Sequence, residues 1–155
     1  MSLHNRYRPA KIGMFPRPFF VGRLLHGTAH TSELNVLVDT GSTVTIFPLA
    51  LLQQLEMTVR DLTWHDQAGR RMAVTWRGKN YSRGVANVTI ELTDDSGHRL
   101  AGRARVSFCQ APLDYALLGD EGGLEFLDAT FRSRRQLVEL IPNEHFAEVA
   151  VTPSE

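Results

Sequence analysis

The sharpest periodicity in the chain lies in NVTIEL, where Val88, Ile90 and Leu92 alternate with Thr89 and Glu91. A period of two sends successive side chains to opposite faces, so this segment is predicted to be a half-buried strand. TDDSGHR follows with turn chemistry, and RLAGRARVSF resumes the alternation at Leu100, Ala104, Val106 and Phe108, which predicts the second arm of a hairpin. Upstream, FFVGRLLHGTAHTSELNVLVDTG reads as two strands around the turn-prone GTAHTSE. Downstream, QAPLDYALLG leads into another apolar strand, and ATFRSRRQLVELIP reads as a closing pair that turns near Ser133.

Helical signals are few. Pro48 suits a first helical position and good helix formers follow it, so a short helix is expected over 48–55. GDEGGLEFLDA opens with Gly119 and an acidic first turn, which suggests a second. The first 18 residues hold three prolines and no lasting pattern, and the sequence after Pro142 is again weakly patterned. The expected organisation is an extended arm over 1–18, one domain over 19–141 and a tail over 142–155, in an all-β class with one or two short helices.

Composition narrows the field. A length of 155 residues suits a single core. Seventeen basic residues balance 17 acidic ones, which leaves no global pull toward nucleic acid or an anionic membrane, and the short RSRR run reads as a solvated face. Cys109 is the only cysteine, so no intrachain disulfide exists, and it reads as an inert core thiol rather than a nucleophile. No apolar stretch approaches the ~18 residues of a membrane span, and the N-terminus lacks an apolar leader core. A soluble, cytoplasmic protein is expected. The six histidines are scattered without zinc spacing and there is no glycine-rich phosphate loop, so neither metal nor cofactor is expected.

One carboxylate stands out. In NVLVDTGSTVTIFP, three apolar residues carry the chain straight into Asp39, where an ionised group is costly to bury unless donors hold it. Asp-Thr-Gly is an ordinary turn tripeptide when it stands alone. Apolar runs on both sides, however, are unlike the neighbours of a surface turn. If Asp39 is catalytic, Gly41 lets a tight loop form, while Thr40 and Ser42 supply hydroxyls for bracing it.

VLVDTGSTVTIF resembles the active-site signature of aspartic proteases, and one copy of it in a chain of this length resembles the retropepsin-like branch. The second element of that pattern, two apolar residues and a glycine, is present as Leu117, Leu118 and Gly119. The resemblance spans residues 19–141 and implies a closed β-barrel, homodimeric, with Leu117, Leu118 and Gly119 packed beneath the Asp39 loop. It also implies a flap hairpin with its tip near Trp76, Arg77 and Gly78. Two departures are visible: Asp120 stands where many retroviral members have arginine or asparagine, and the flap is poor in glycine.

By the same resemblance, hydrolysis needs two aspartates that share a proton, since two carboxylates about 3 Å apart cannot both ionise. The one other Asp-Ser-Gly of the chain, at 95–97, belongs to the TDDSGHR turn and lacks the apolar runs that flank Asp39. The partner is therefore expected to be Asp39 of a second copy across a two-fold axis, with an extended polypeptide as substrate. The resemblance gives Thr40 a hydrogen bond across that axis and gives Ser42 one to the carboxylate, which would shift activity toward acid. Trp76 is the better placed tryptophan to touch substrate, whereas Trp64 suits the barrel equally well. A non-catalytic dimeric peptide-binding module, and a protease limited to self-processing, remain as alternative functions.

Overall fold

A computed structural model describes residues 1–148. Its strands are β1 (Leu3–Arg6), β2 (Phe19–His26), β3 (Ala29–His30), β4 (Leu34–Val38), β5 (Ile46–Pro48), β6 (Ala73–Trp76), β7 (Lys79–Ser82), β8 (Gly84–Thr93), β9 (Arg99–Cys109), β10 (Ala116–Leu118), β11 (Leu127–Arg132) and β12 (Leu137–Pro142). The main sheet runs β3-β2-β4-β10-β5-β9-β8, and β8 pairs again with β2. That second pairing closes a six-strand barrel, which leaves none of those six strands as an open edge. The fold is all-β, as the alternation predicts.

The hairpin of β8 and β9 is the longest in the protein, with Val88 opposite Ala104 and Leu92 opposite Leu100. Val88, Ile90 and Leu92 face the core, as expected. Thr89 and Glu91 are buried too, so β8 is covered on both faces and not on one. Glu91 is accommodated by Arg23, its register partner on β2, at 2.7 Å. Such a buried pair adds little net stability, but removing either partner strands a charge.

The expected helix over 48–55 is a 3₁₀ turn at Leu49–Gln53. It stops early because Leu52, Leu55 and Met57 all enter the core, which requires a sharp change of direction. Glu56 makes that change in the left-handed region, φ 56°, and Met57 N–H closes the end on the Leu52 carbonyl. The second expected helix, in GDEGGLEFL, is absent. Gly122 there adopts φ 83°, and a Cβ would meet the Arg105 carbonyl at 2.3 Å, so the chain coils tightly where a helix would collide. The bonds Leu124 N–H to Gly119 O and Glu125 N–H to Asp120 O span five residues, wider than an α-helical turn.

A separate sheet, β1-β12-β11, joins the two ends of the described chain. Pairing thus begins at Leu3, well before Phe19, and Leu3 is wholly buried with Val138 and Leu140 in the main core. Four residues are too few for their alternation to be noticed among the prolines. Beyond Pro142, Phe146 packs on the same core, and the rest of the expected tail, residues 149–155, lies outside the described residues. Among the described residues no helix is long and apolar enough to cross a membrane.

Strand β1 is held to the β8–β9 turn through Asp94. Burial by itself would raise the Asp94 carboxyl, but donors from His4 N–H, the His98 N–H and ring, and Ser96 N–H outweigh it and hold the group below its ordinary value. A depressed folded pKa gives stability that is fully present above the unfolded value, near 4, and is lost as pH falls through the folded one. Asp94→Asn should therefore cost about 1–2 kcal/mol at pH 7. Urea unfolding at pH 7 and at progressively lower pH should show that difference shrinking toward zero.

Candidate active site

Asp39 sits at the end of β4, half-buried, with Val36, Leu37 and Val38 buried behind it. Its own N–H donates to the Leu118 carbonyl at 3.0 Å, which continues the parallel pairing of Leu37 with Leu117 and Val38 with Leu118. The carboxylate accepts the Gly41 N–H at 2.9 Å, and Ser42 N–H donates to the Asp39 carbonyl at 3.2 Å. Three backbone bonds thus fix both the residue and the orientation of its carboxylate. Thr40 and Gly41 are exposed, so the loop presents its crest to solvent.

The floor beneath is the segment after β10. Asp120 N–H donates to Ser42 O at 3.0 Å, Glu121 N–H to Thr43 O at 3.1 Å, and Thr45 N–H to Glu121 O at 3.0 Å. Gly119 N–H reaches the Thr45 hydroxyl at 3.2 Å. A side chain at 119 has no room, because a Cβ would stand 2.2 Å from the Val44 carbonyl and 2.7 Å from that of Ser42. Gly119 thus passes against the carbonyls of Ser42 and Val44, while Leu117 and Leu118 pair with Leu37 and Val38 on β4.

Ser42 differs from expectation. Its hydroxyl donates to the Val44 carbonyl at 2.7 Å, not to the carboxylate. A hydroxyl has one proton to give, so the acid shift expected from a Ser42 bond to Asp39 has no geometric basis here. The carboxylate's donor is the Gly41 amide instead.

Alternation along β4 and β10 divides two apolar environments. Val36, Val38 and Leu118 face the main core. Leu37 and Leu117, on the opposite face, join Phe19, Ile46, Cys109 and Tyr115 in a second buried cluster that adjoins Asp39. Strands β6 and β7 form an isolated hairpin with Arg77 and Gly78 at its tip, at φ 50° and 77°, the left-handed pair of a type I′ turn. Its Val74, Trp76 and Tyr81 pack onto the second cluster. The Trp76 indole N–H is buried there without an acceptor. Trp64 packs on the main core, donates to the Val59 carbonyl at 2.9 Å and stacks under Arg71.

Cys109 belongs to the same cluster, and burial pushes its thiol up, away from nucleophilic use. Among the described residues no group of His, Cys, Asp or Glu is placed to hold a metal ion. Sequence reasoning missed Tyr115, whose hydroxyl accepts a bond from Arg17 at 2.9 Å and whose ring meets Phe19 edge-on. The signal was available: Tyr115 stands two residues before Leu117, hence on the same face of the segment.

No protein-family model and no curated protein matches the sequence. Among solved structures, the chain is similar to a retropepsin-like aspartic protease from Rickettsia conorii, with TM-score 0.57 and 15% identity over 90% of this chain and 98% of that one. The EIAV protease in complex with the inhibitor HBY-793 also matches, with TM-score 0.44 and 19% identity over 70% of this chain and 86% of that one. The fold is retropepsin-like.

Two substitutions test the loop's construction. Gly119→Ala should destabilise the protein by roughly 2–3 kcal/mol, because backbone carbonyls must move to admit a methyl group. Thermal unfolding measures this. Ser42→Ala should cost only about 1 kcal/mol for the lost bond to Val44. If the protein is active, that variant's pH–rate profile should superimpose on the wild-type profile.

Proposed function

We propose that the chain is an aspartic endopeptidase that works as a two-fold homodimer, with one Asp39 from each copy meeting on the axis. The observation that carries this reading is the Asp39 loop itself. A half-buried carboxylate is held by an amide, on a loop braced from below, with an exposed Thr40-Gly41 crest free to meet an identical surface. The retropepsin-like fold supports it.

In the reacting pair the two carboxylates share one proton. The ionised one takes a proton from water as the oxygen attacks the scissile carbonyl carbon, and the protonated one gives its proton to the carbonyl oxygen. Collapse of the tetrahedral species breaks the C–N bond as the nitrogen is protonated. Titration belongs to the pair, not to either residue. Thr40 bonds across the axis and holds the two loops in register. The substrate lies extended under the β6–β7 hairpin, where its backbone adds to a strand edge and alternate side chains enter the apolar cluster. Trp76 is the hairpin residue that meets it. The lone, buried Cys109 suits a cytoplasmic setting, and no metal or organic cofactor takes part.

The test is Asp39→Asn assayed on a mixed peptide library, with mass in solution measured in parallel. Cleavage should fall by about 100-fold or more, while the dimer mass and unfolding midpoint stay near wild type. Wild-type protein that is monomeric at high concentration, or cleavage that survives the substitution, would sink the proposal.

A further inference from the structure

The terminal sheet β1-β12-β11 has two outer edges, and they differ. Tyr7 N–H donates to the Gln136 carbonyl, so the odd residues of β1 bond to β12 and the even ones point outward. That outer edge is occupied: His4 N–H donates to the Asp94 carboxylate at 3.2 Å, and Arg8 N–H to the Arg17 carbonyl at 3.0 Å. On β11 the parity is reversed. Asn143 N–H donates to the Phe126 carbonyl at 3.0 Å, so the even residues Asp128, Thr130 and Arg132 bond to β12. The main-chain groups of Leu127, Ala129 and Phe131 face away from it, and among the described residues no strand lies there. Such a row of N–H and C=O groups is a template for another strand.

The sequence of β11, LDATFR, indicates which strand fits. Asp128, Thr130 and Arg132 are exposed on one face, while Ala129 and Phe131 are half-buried at the margin of the main core on the other. Laid antiparallel on a second copy with Thr130 opposite Thr130, each Asp128 stands opposite the other copy's Arg132, and each Ala129 opposite the other's Phe131. Opposite charges facing across strands attract, and a small residue leaves room for a large one. The main chain allows this register, because it sets odd residues against odd ones, the residues whose groups point outward. A shift of one residue sets outward groups against inward ones. A shift of two loses the Asp–Arg contacts within the strand. Among the described residues neither Asp128 nor Arg132 is in an ion pair, and Asp128 has only a 3.5 Å contact from the Asn143 amide. A strand of unrelated sequence would find the same hydrogen bonds but not the matching charges.

We propose that β11 is the seam of the homodimer: the β11 strands of two copies pair antiparallel about Thr130 and join two three-stranded sheets into one. The proposal deepens the homodimer reading and rests on it. Strand β11 follows directly on the 119–126 coil, whose first residues brace the Asp39 loop, so the seam is tied in each copy to the floor of the site.

The experiment measures mass in solution for wild type, for Asp128→Arg, for Arg132→Asp, for an equimolar mixture of those two variants, and for the chain carrying both exchanges. Each single variant sets like charges face to face at both ends of the seam, and its dimer should be roughly tenfold weaker or more. The mixture and the doubly exchanged chain restore opposite charges, and should recover wild-type affinity within about threefold. Both side chains are exposed, so the fold should be kept, and the doubly exchanged chain checks this. Amide hydrogen exchange at Ala129 and Phe131 should slow as wild type is concentrated. Single variants as dimeric as wild type, a mixture that does not recover, or amides equally protected at every dilution overturn the seam and leave the homodimer reading standing. Wild type that stays monomeric at high concentration overturns both. Recovery by charge exchange in a protein that cleaves no peptide upholds the seam and counts against the protease reading alone.

Discussion

Everything at the centre of this molecule depends on how closely one backbone is allowed to approach another. Gly119 passes beneath the carbonyls of Ser42 and Val44 at a distance that only a missing side chain permits. Because it does, Asp120 and Glu121 can offer their amides to the loop, and β10 can lie parallel to β4 while also pairing β5. The aspartate loop is therefore braced by main chain on its lower side. Main-chain bracing does not depend on rotamers, and it keeps a polar loop rigid.

The same strands divide the apolar interior in two. On β4 and β10, one set of alternate residues enters the barrel core and the other set makes the surface that the hairpin covers. The second surface is buried in the isolated chain by Trp76 and its neighbours rather than by barrel strands. It is thus a part of the apolar interior whose cover is a two-stranded hairpin with a tight tip.

Much of this was legible in the sequence, for identifiable reasons. The alternation at 88–92 and the turn chemistry at 93–99 gave the longest hairpin, and the DTGST segment with Leu117-Leu118-Gly119 pointed to two stretches that do lie together. The errors have physical causes. Thr89 and Glu91 looked solvent-facing because a single strand cannot announce that Arg23 waits opposite. The residues after Pro48 have good helical propensity, yet tertiary burial of Leu55 and Met57 cuts the turn short. The acidic GDEGG segment resembles a helix start, but its Gly122 serves close packing against the Arg105 carbonyl. Ser42 was expected to address the carboxylate, and which acceptor a hydroxyl chooses is decided by a few tenths of an ångström that no motif encodes.

Leu3 lies directly opposite Leu140, so β1 is completed by a strand far downstream of it. Closing so long a loop carries an entropic cost that local hairpins escape. During synthesis the barrel hairpins have their partners close at hand, while β1 waits, with Leu3 uncovered, for the distant β12 to emerge. The β1-β12-β11 sheet is then a late seam of folding, and one at which an immature chain stays open to the wrong partner.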